Sequence, residues 1–380
     1  MRGRKLAMGL LLAGSALSST AKAQSVTDAV PPERQNLDAL YVDRVSGRPF
    51  VPHPVLAIGP SGRGGLSVRG TAGYASNESD NGGASGGAGT NWGLVIYISG
   101  ANYNVGLGQT SERFVKSGSA FASASNTGAT LTQSGQGYIY TSADGTIINY
   151  DVIGKSTFES LAAARASTIT YPTGEKVTLA WTYSRYCTTN DDVCKSRQTR
   201  VRLQSVTNSS GYQLHYNYAA DTIDYPSIAP SFNRLLSISG INLAYDYCDP
   251  LAGSCSTPNQ TPLTMSYASS SSSDGYVTQV TTSGGRVWKY VLNAISLTVQ
   301  RPTASTPHTT YSLVGGSVSA VNHDGVYDLY EQSRDASGNL VVKVTTNPGG
   351  LNLVSTTVGD PNLFVIRSTE VQVNANQTSL

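Results

Sequence analysis

The sequence is short of charge. Lys, Arg, Asp and Glu make only 13% of the chain, against about 25% in an ordinary globular domain, which excludes a coiled coil or a charged disordered tail. Beyond the first residues there is no Lys/Arg cluster, so nucleic acid and anionic membrane surfaces are poor partners. His and Cys number four each, little material for a metal enzyme. Phe is scarce at 6 against 22 Tyr and 39 Gly. Abundant Ser, Thr and Gly weaken helices, whereas Thr and Tyr suit half-buried strands. The longest apolar run, Leu6–Leu17, falls short of the about 20 residues that span a bilayer as a helix.

That run belongs to a targeting segment. Arg2, Arg4 and Lys5 form a basic head, and Ala21-Lys22-Ala23 offers small residues at the two positions a signal peptidase reads. Residues 1–23 therefore read as a secretory signal peptide, and the protein as exported, to the periplasm, the cell surface or the extracellular space. The formal charge is +2 from 26 cations and 24 anions. The signal carries four of the cations, so the mature chain has 22 against 24 and is slightly acidic. No transmembrane segment is expected after cleavage.

The cysteines fall into two local pairs, Cys187 with Cys194 and Cys248 with Cys255, each bracketing six residues of turn chemistry. In an exported chain each pair reads as a disulfide closing a loop at a strand end. Crossed pairing between the loops stays open on sequence grounds. A zinc site needs closer ligand spacing and an adjacent His, so neither a metal nor any other cofactor is expected.

A pattern recurs along the second half. A Gly is followed five residues later by Tyr: Gly145 and Tyr150, Gly211 and Tyr216, Gly240 and Tyr245, Gly285 and Tyr290, Gly325 and Tyr330. Apolar strand-like segments precede most of these glycines, so the unit is a β-hairpin. The following strands alternate. Tyr212, Leu214, Tyr216 and Tyr218 point one way and Gln213, His215 and Asn217 the other; Ile241, Leu243, Tyr245 and Tyr247 oppose Asn242, Ala244 and Asp246; Val177, Leu179, Trp181 and Tyr183 form a third set. Period two with one apolar face is the signature of a half-buried antiparallel sheet. Tyrosines at one place in successive hairpins are expected to line up across the sheet. The fold class is all-β, antiparallel β-hairpin repeats forming a long twisted sheet or partial spiral. Five regions follow: 1–23 signal, 24–71 irregular lead-in, 72–136 a Gly/Ser-rich β region, 137–350 hairpin repeats, and 351–380 a terminal strand and tail. Phe158–Ala166 is the one stretch with helical composition.

The pattern resembles the tyrosine–aspartate (YD) repeat of RHS-type proteins. It is carried by Tyr150-Asp151-Val152-Ile153-Gly154, by residues 202–218, by residues 277–290, and by a lead-in from Asp43 to Arg69. The resemblance implies a sheet that winds into a shell or cocoon. Large members enclose a toxic C-terminal domain behind a self-cleaving segment; neither is recognised in this sequence. Asn217, Val291 and Glu331 replace the Asp that follows the repeat Tyr.

No catalytic residue is expected. His215 reads as a solvated histidine on a polar face. His323-Asp324-Gly325 reads as a turn that lacks a placed nucleophile. Asp191-Asp192 reads as a solvated pair, and Gly59–Gly65 lacks the ending of a phosphate loop. The function expected is a non-enzymatic exported scaffold or shell, whose partner is another protein. The alternative is a carbohydrate-binding or adhesion module whose partner is a surface glycan, met by an aromatic face of the sheet.

Overall fold

A computed structural model describes residues 36–73, 90–108, 110–152, 162–187, 197–219, 232, 234–272, 275–346, 352–360 and 365–374. The expected signal peptide and Cys194 lie outside these residues.

Apart from turns and irregular segments, the described chain is built of strands, 62% of residues, with one 3-10 turn at Gly62–Gly64. Twenty-two strands, from Val95–Ser99 to Val365–Asn374, make one antiparallel sheet of successive hairpins. It is an open strip. Among the described residues, no residue pairing joins Val365–Asn374 to Val95–Ser99. The strip folds back at one place, where Ala162–Arg165 pair with Val95–Ile98 while the rest of that strand pairs with Ile147–Asp151 and Lys176–Thr178.

The helical expectation for Phe158–Ala166 is corrected by that same strand, Ala162–Thr170; residues 158–161 lie outside the described set. Ala is the strongest helix former, but propensity is a weak prior that tertiary contacts override. Here a sheet edge recruits it, and small Ala side chains let two strands and a core meet (Ala164 and Ala166 are buried).

The expected alternation holds where hairpins are regular. In Lys176–Cys187, Val177 and Leu179 are buried while Lys176 and Thr178 are exposed, whereas in Tyr212–Tyr218 Gln213 and His215 are buried as fully as Leu214 and Tyr216. The opposite face of the later strands is mixed: Tyr327 and Leu329 are exposed beside the cross-strand pair of Lys343 Nζ and Glu331 Oε2 at 2.7 Å. Gly145, Gly211, Gly285 and Gly325 all have φ between +72° and +87°, the left-handed conformation a tight turn needs and only Gly adopts without strain.

Gly240 departs from this pattern. It lies inside the strand Leu235–Asn242, and Tyr245 and Tyr247 stand 65% and 77% exposed beyond it. The strand stops because the chain turns at Asn242, whose carbonyl accepts from Tyr245 N and Asp246 N. The Gln260 side chain then occupies the strand end, accepting from Asn242 N and donating to Asn242 O, both at 2.9 Å. The expected apolar row Ile241–Leu243–Tyr245–Tyr247 is thereby broken after its first members.

The lead-in is docked and not free. Phe50–Pro52 pair with Thr71–Gly73, and Leu56–Ile58 with Leu66–Val68. Val42, Val51, Leu56, Leu66 and Val68 belong to the same core as Tyr216, Tyr267, Tyr290, Tyr311 and Tyr330. Burying this apolar set contributes about 25 cal/mol per Å² of surface removed from water.

Candidate functional site

Two features of the tyrosine-bearing face carry chemistry. The first is how it holds the lead-in. Asn208 Nδ2 donates to Gly64 O at 3.1 Å. Gly240 passes so close to Ile58 that an added Cβ would sit 3.2 Å from the Ile58 Cβ. Tyr290 Oη donates to Pro52 O at 3.3 Å, Tyr311 Oη to Leu40 O at 2.9 Å, and Tyr330 Oη to Asp38 Oδ2 at 2.7 Å. From Gly64 to Asp38 the lead-in numbers fall as strand numbers rise, so this stretch runs backwards along the strip; Gly47 and Arg44 leave the order, Gly47 O accepting from Val318 N and Arg44 Nη1 donating to Ser355 Oγ and Thr357 Oγ1. Burial pushes the hydroxyls of Tyr290, Tyr311 and Tyr330 well above the usual phenol range, with Asp38 adding to the last two; each stays a neutral donor.

His53 sits among these tyrosines, its ring 4.6 Å from Tyr290 and 6.3 Å from Tyr267. Desolvation lowers its pKa to about 4. Of the expected repeat tyrosines, Tyr290 and Tyr330 hold the lead-in and Tyr311 joins them, while Tyr150 donates to Gly106 O and Tyr245 is exposed.

The second feature is a cavity of about 290 Å³ where the lead-in meets the strands around residues 288–323. Trp288, Tyr290, Tyr311 and Tyr41 contribute aromatic wall, and Arg301, His308, Thr309 and His323 the polar part. Thr309 and His323 are direct cross-strand partners, which brings Thr309 Oγ1 within 2.7 Å of His323 Nδ1. His308 and His323 meet edge-on with ring centres 5.7 Å apart. Asp324 Oδ2 holds Arg301 at 3.0 Å and lies 3.6 Å from His323 Nε2. His308 is lowered, first by burial and then by Arg301. Thr309, His323 and Asp324 form a hydroxyl–imidazole–carboxylate series, but 3.6 Å exceeds hydrogen-bond length and Thr309 is 3% exposed. This arrangement fixes a histidine and does not present an attacking hydroxyl.

The reading of His215 as solvated is corrected. His215 is 0% exposed, because the loop from Cys248 to Cys255 folds over that patch of the otherwise polar face. Cys248 and Cys255 are joined as a disulfide. Cys248 Sγ lies 3.5 Å from His215 Nδ1, Gln213 Nε2 donates to Cys248 O, and Ser205 Oγ donates to Pro250 O. Burial lowers the His215 pKa to about 4. The sulfurs and His215 nitrogen lie within 4.8 Å of one another, but sulfurs bonded to each other are not thiolate ligands. The Cys187–Cys194 pairing falls outside the described residues, as do Asp191 and Asp192.

Of the residues singled out in the sequence, Tyr150, Tyr216, Tyr290 and Tyr330 reach the core and His323–Asp324 reach the cavity rim. Trp288, Arg301, His308 and Thr309 had no role in the sequence reading beyond Trp288 as an aromatic. The usable signal was that His308 and His323 are two of only four histidines, placed on the two arms of one hairpin.

No family model matches the chain, and no curated protein matches it. Among solved structures it is similar to a porin-like protein from Bacteroides uniformis, at 8% identity and a TM-score of 0.22, over 73% of this chain and 95% of that one. Likeness at this level assigns neither architecture nor activity.

Proposed function

We propose that this chain is a non-enzymatic exported scaffold or shell protein of the tyrosine–aspartate repeat kind, whose tyrosine-lined face is built to hold an extended polypeptide. The observation that carries the reading is the set of hydroxyls from Tyr290, Tyr311 and Tyr330 donating to Pro52 O, Leu40 O and Asp38 Oδ2. Acceptors on two of the three are backbone carbonyls, so the grip suits a chain in extended form more than one particular side chain. The open end of the strip, at Val365–Asn374, offers an edge on which a further strand can add. Export is supported by the basic head and apolar run of residues 1–23 and by the Cys248–Cys255 disulfide.

The alternative, a glycan-binding aromatic face, loses ground as first framed. The aromatic face is occupied by the lead-in, and the opposite face of the later strands mixes exposed Tyr327 and Leu329 with the Glu331–Lys343 pair.

The test is to capture the native protein from the medium or cell surface of its source and identify what accompanies it by mass spectrometry. A stoichiometric polypeptide partner is the expected result. A clean monomer overturns the scaffold reading.

A further inference from the structure

We infer that the cavity bounded by Tyr41, Trp288, Arg301, His308 and His323 is a binding site for one neutral saccharide ring. It is independent of the scaffold reading and would survive that reading's failure.

The first ground is where the backbone is strained. Four non-glycine residues in the described chain have positive φ: Tyr41 (+59°) lines this cavity, Asp324 (+49°) pairs with its Arg301 from a hairpin turn, and Thr303 (+66°) and Asn126 (+48°) lie outside its lining. A bulky residue such as Tyr at positive φ is uncommon, and such strain gathers at ligand sites because the surrounding fold must over-determine it. Tyr41 and Asp324 are fixed by their surroundings. Tyr41 N donates to Asp38 O and Tyr41 O accepts from Phe50 N; Asp324 N donates to His308 O at 2.8 Å.

The second ground is charge. Arg301 is cancelled by Asp324 at 3.0 Å. His308 is held toward its neutral form by burial and by Arg301, against an opposing pull from Asp324. At neutral pH the polar part is therefore balanced. An anion would meet Asp324, and a cation would meet Arg301. A ring bearing adjacent hydroxyls, which both donate and accept, satisfies the two at once.

The third ground is shape. The half-buried Trp288 faces His308 edge-on, with ring centres 6.1 Å apart, and Tyr290 and Tyr311 continue the aromatic wall. Such a wall suits the C–H face of a sugar ring. At about 290 Å³ the cavity sits at the lower edge of small-molecule sites, which run from about 300 to 1,000 Å³. That is room for one ring and not for an oligomer.

The test is tryptophan fluorescence of the mature protein titrated with glucose, galactose, mannose and N-acetylglucosamine, with sodium acetate and phosphate as anionic controls. At least one neutral sugar should saturate the signal with a dissociation constant on the order of 1 mM. Trp288→Phe should remove the signal change, since Trp92 and Trp181 lie elsewhere. Arg301→Gln and Asp324→Asn should each weaken binding at least tenfold with the melting temperature kept. Asn tolerates the left-handed backbone at this position, so the second variant isolates the charge. No saturation by any of the sugars overturns the proposal. So does unchanged binding in both rim variants, or acetate or phosphate binding in place of the sugars.

Discussion

The Tyr330 hydroxyl donates to Asp38 Oδ2 at 2.7 Å across 292 positions of sequence. Asp38 Oδ1 meanwhile accepts from Leu40 N and Val42 N, so one carboxylate folds the start of the lead-in and ties it to a late strand. Tyr330→Phe should lower stability by about 1–3 kcal/mol, the cost of leaving a charged acceptor short of a donor. In a denaturant-melt cycle with Asp38→Asn, the two losses should fall short of adding by at least about 0.5 kcal/mol. Strict additivity would deny the contact.

Gly240 and Gly325 should respond to Ala for different reasons. At Gly325 the space is open but φ is +87°, so Ala strains only the backbone, at about 1 kcal/mol. At Gly240 the backbone is ordinary but Ile58 stands 3.2 Å from the new Cβ. Gly240→Ala is therefore absorbed by a small shift, whereas Gly240→Val should dislodge Leu56–Ile58. Limited proteolysis should then cut within residues 50–68 in the Val variant and not in Gly325→Ala. Equal protection of both variants would remove the lead-in from this face.

Acid should loosen the molecule before any carboxylate is involved. The pKa values of His53 and His215 are both lowered to about 4 from 6.5 by burial. The unfolded chain thus binds protons that the folded chain refuses. The stability they carry is intact above pH 6.5 and is lost as pH falls toward 4. At about 1.4 kcal/mol per pKa unit, the fully buried His53 accounts for a loss on the order of 3 kcal/mol at the end of that window. Urea melts from pH 7.5 to pH 4 should display the slope, and His53→Phe should flatten it. A slope untouched by that substitution would assign the effect elsewhere.

Replacing Cys248 and Cys255 by Ala should cost about 2–3 kcal/mol on the loop-entropy estimate. It should also uncover His215, whose imidazole should then titrate closer to 6.5 by NMR. Peptide mapping after alkylation without reduction should find neither Cys248 nor Cys255 labelled. Labelling of both would contradict the disulfide.

Much of the sheet was legible because its rules are local. Alternation from Lys176 to Leu179 needs only period two, and Gly145, Gly211, Gly285 and Gly325 announce turns through a conformation Gly alone takes easily. The failures share a cause, which is a partner far away in sequence. Ala162–Arg165 read as helix because Val95–Ile98, the edge that pairs with them, is invisible to composition. His215 read as solvated because the loop that covers it begins at Cys248. Gly240 read as one more turn although its missing side chain makes room for Ile58. The cavity was hidden for the same reason, since Tyr41 and His323 become neighbours only when the lead-in has docked.

The reversed run of the lead-in along the strip works as a ruler. Gly64, Ile58, Pro52, Leu40 and Asp38 are met in turn by Asn208, Gly240, Tyr290, Tyr311 and Tyr330, so each hairpin has an assigned mark. Removing one hairpin between residues 208 and 330 would set every later tyrosine opposite the wrong carbonyl, as a slipped zipper misaligns all teeth beyond the fault. The lead-in reaches further still, with Arg44 Nη1 donating to Ser355 Oγ and Thr357 Oγ1 and Val45 lying against Gly359, so variation in hairpin number is tolerable only beyond Gly359, toward Val365–Asn374.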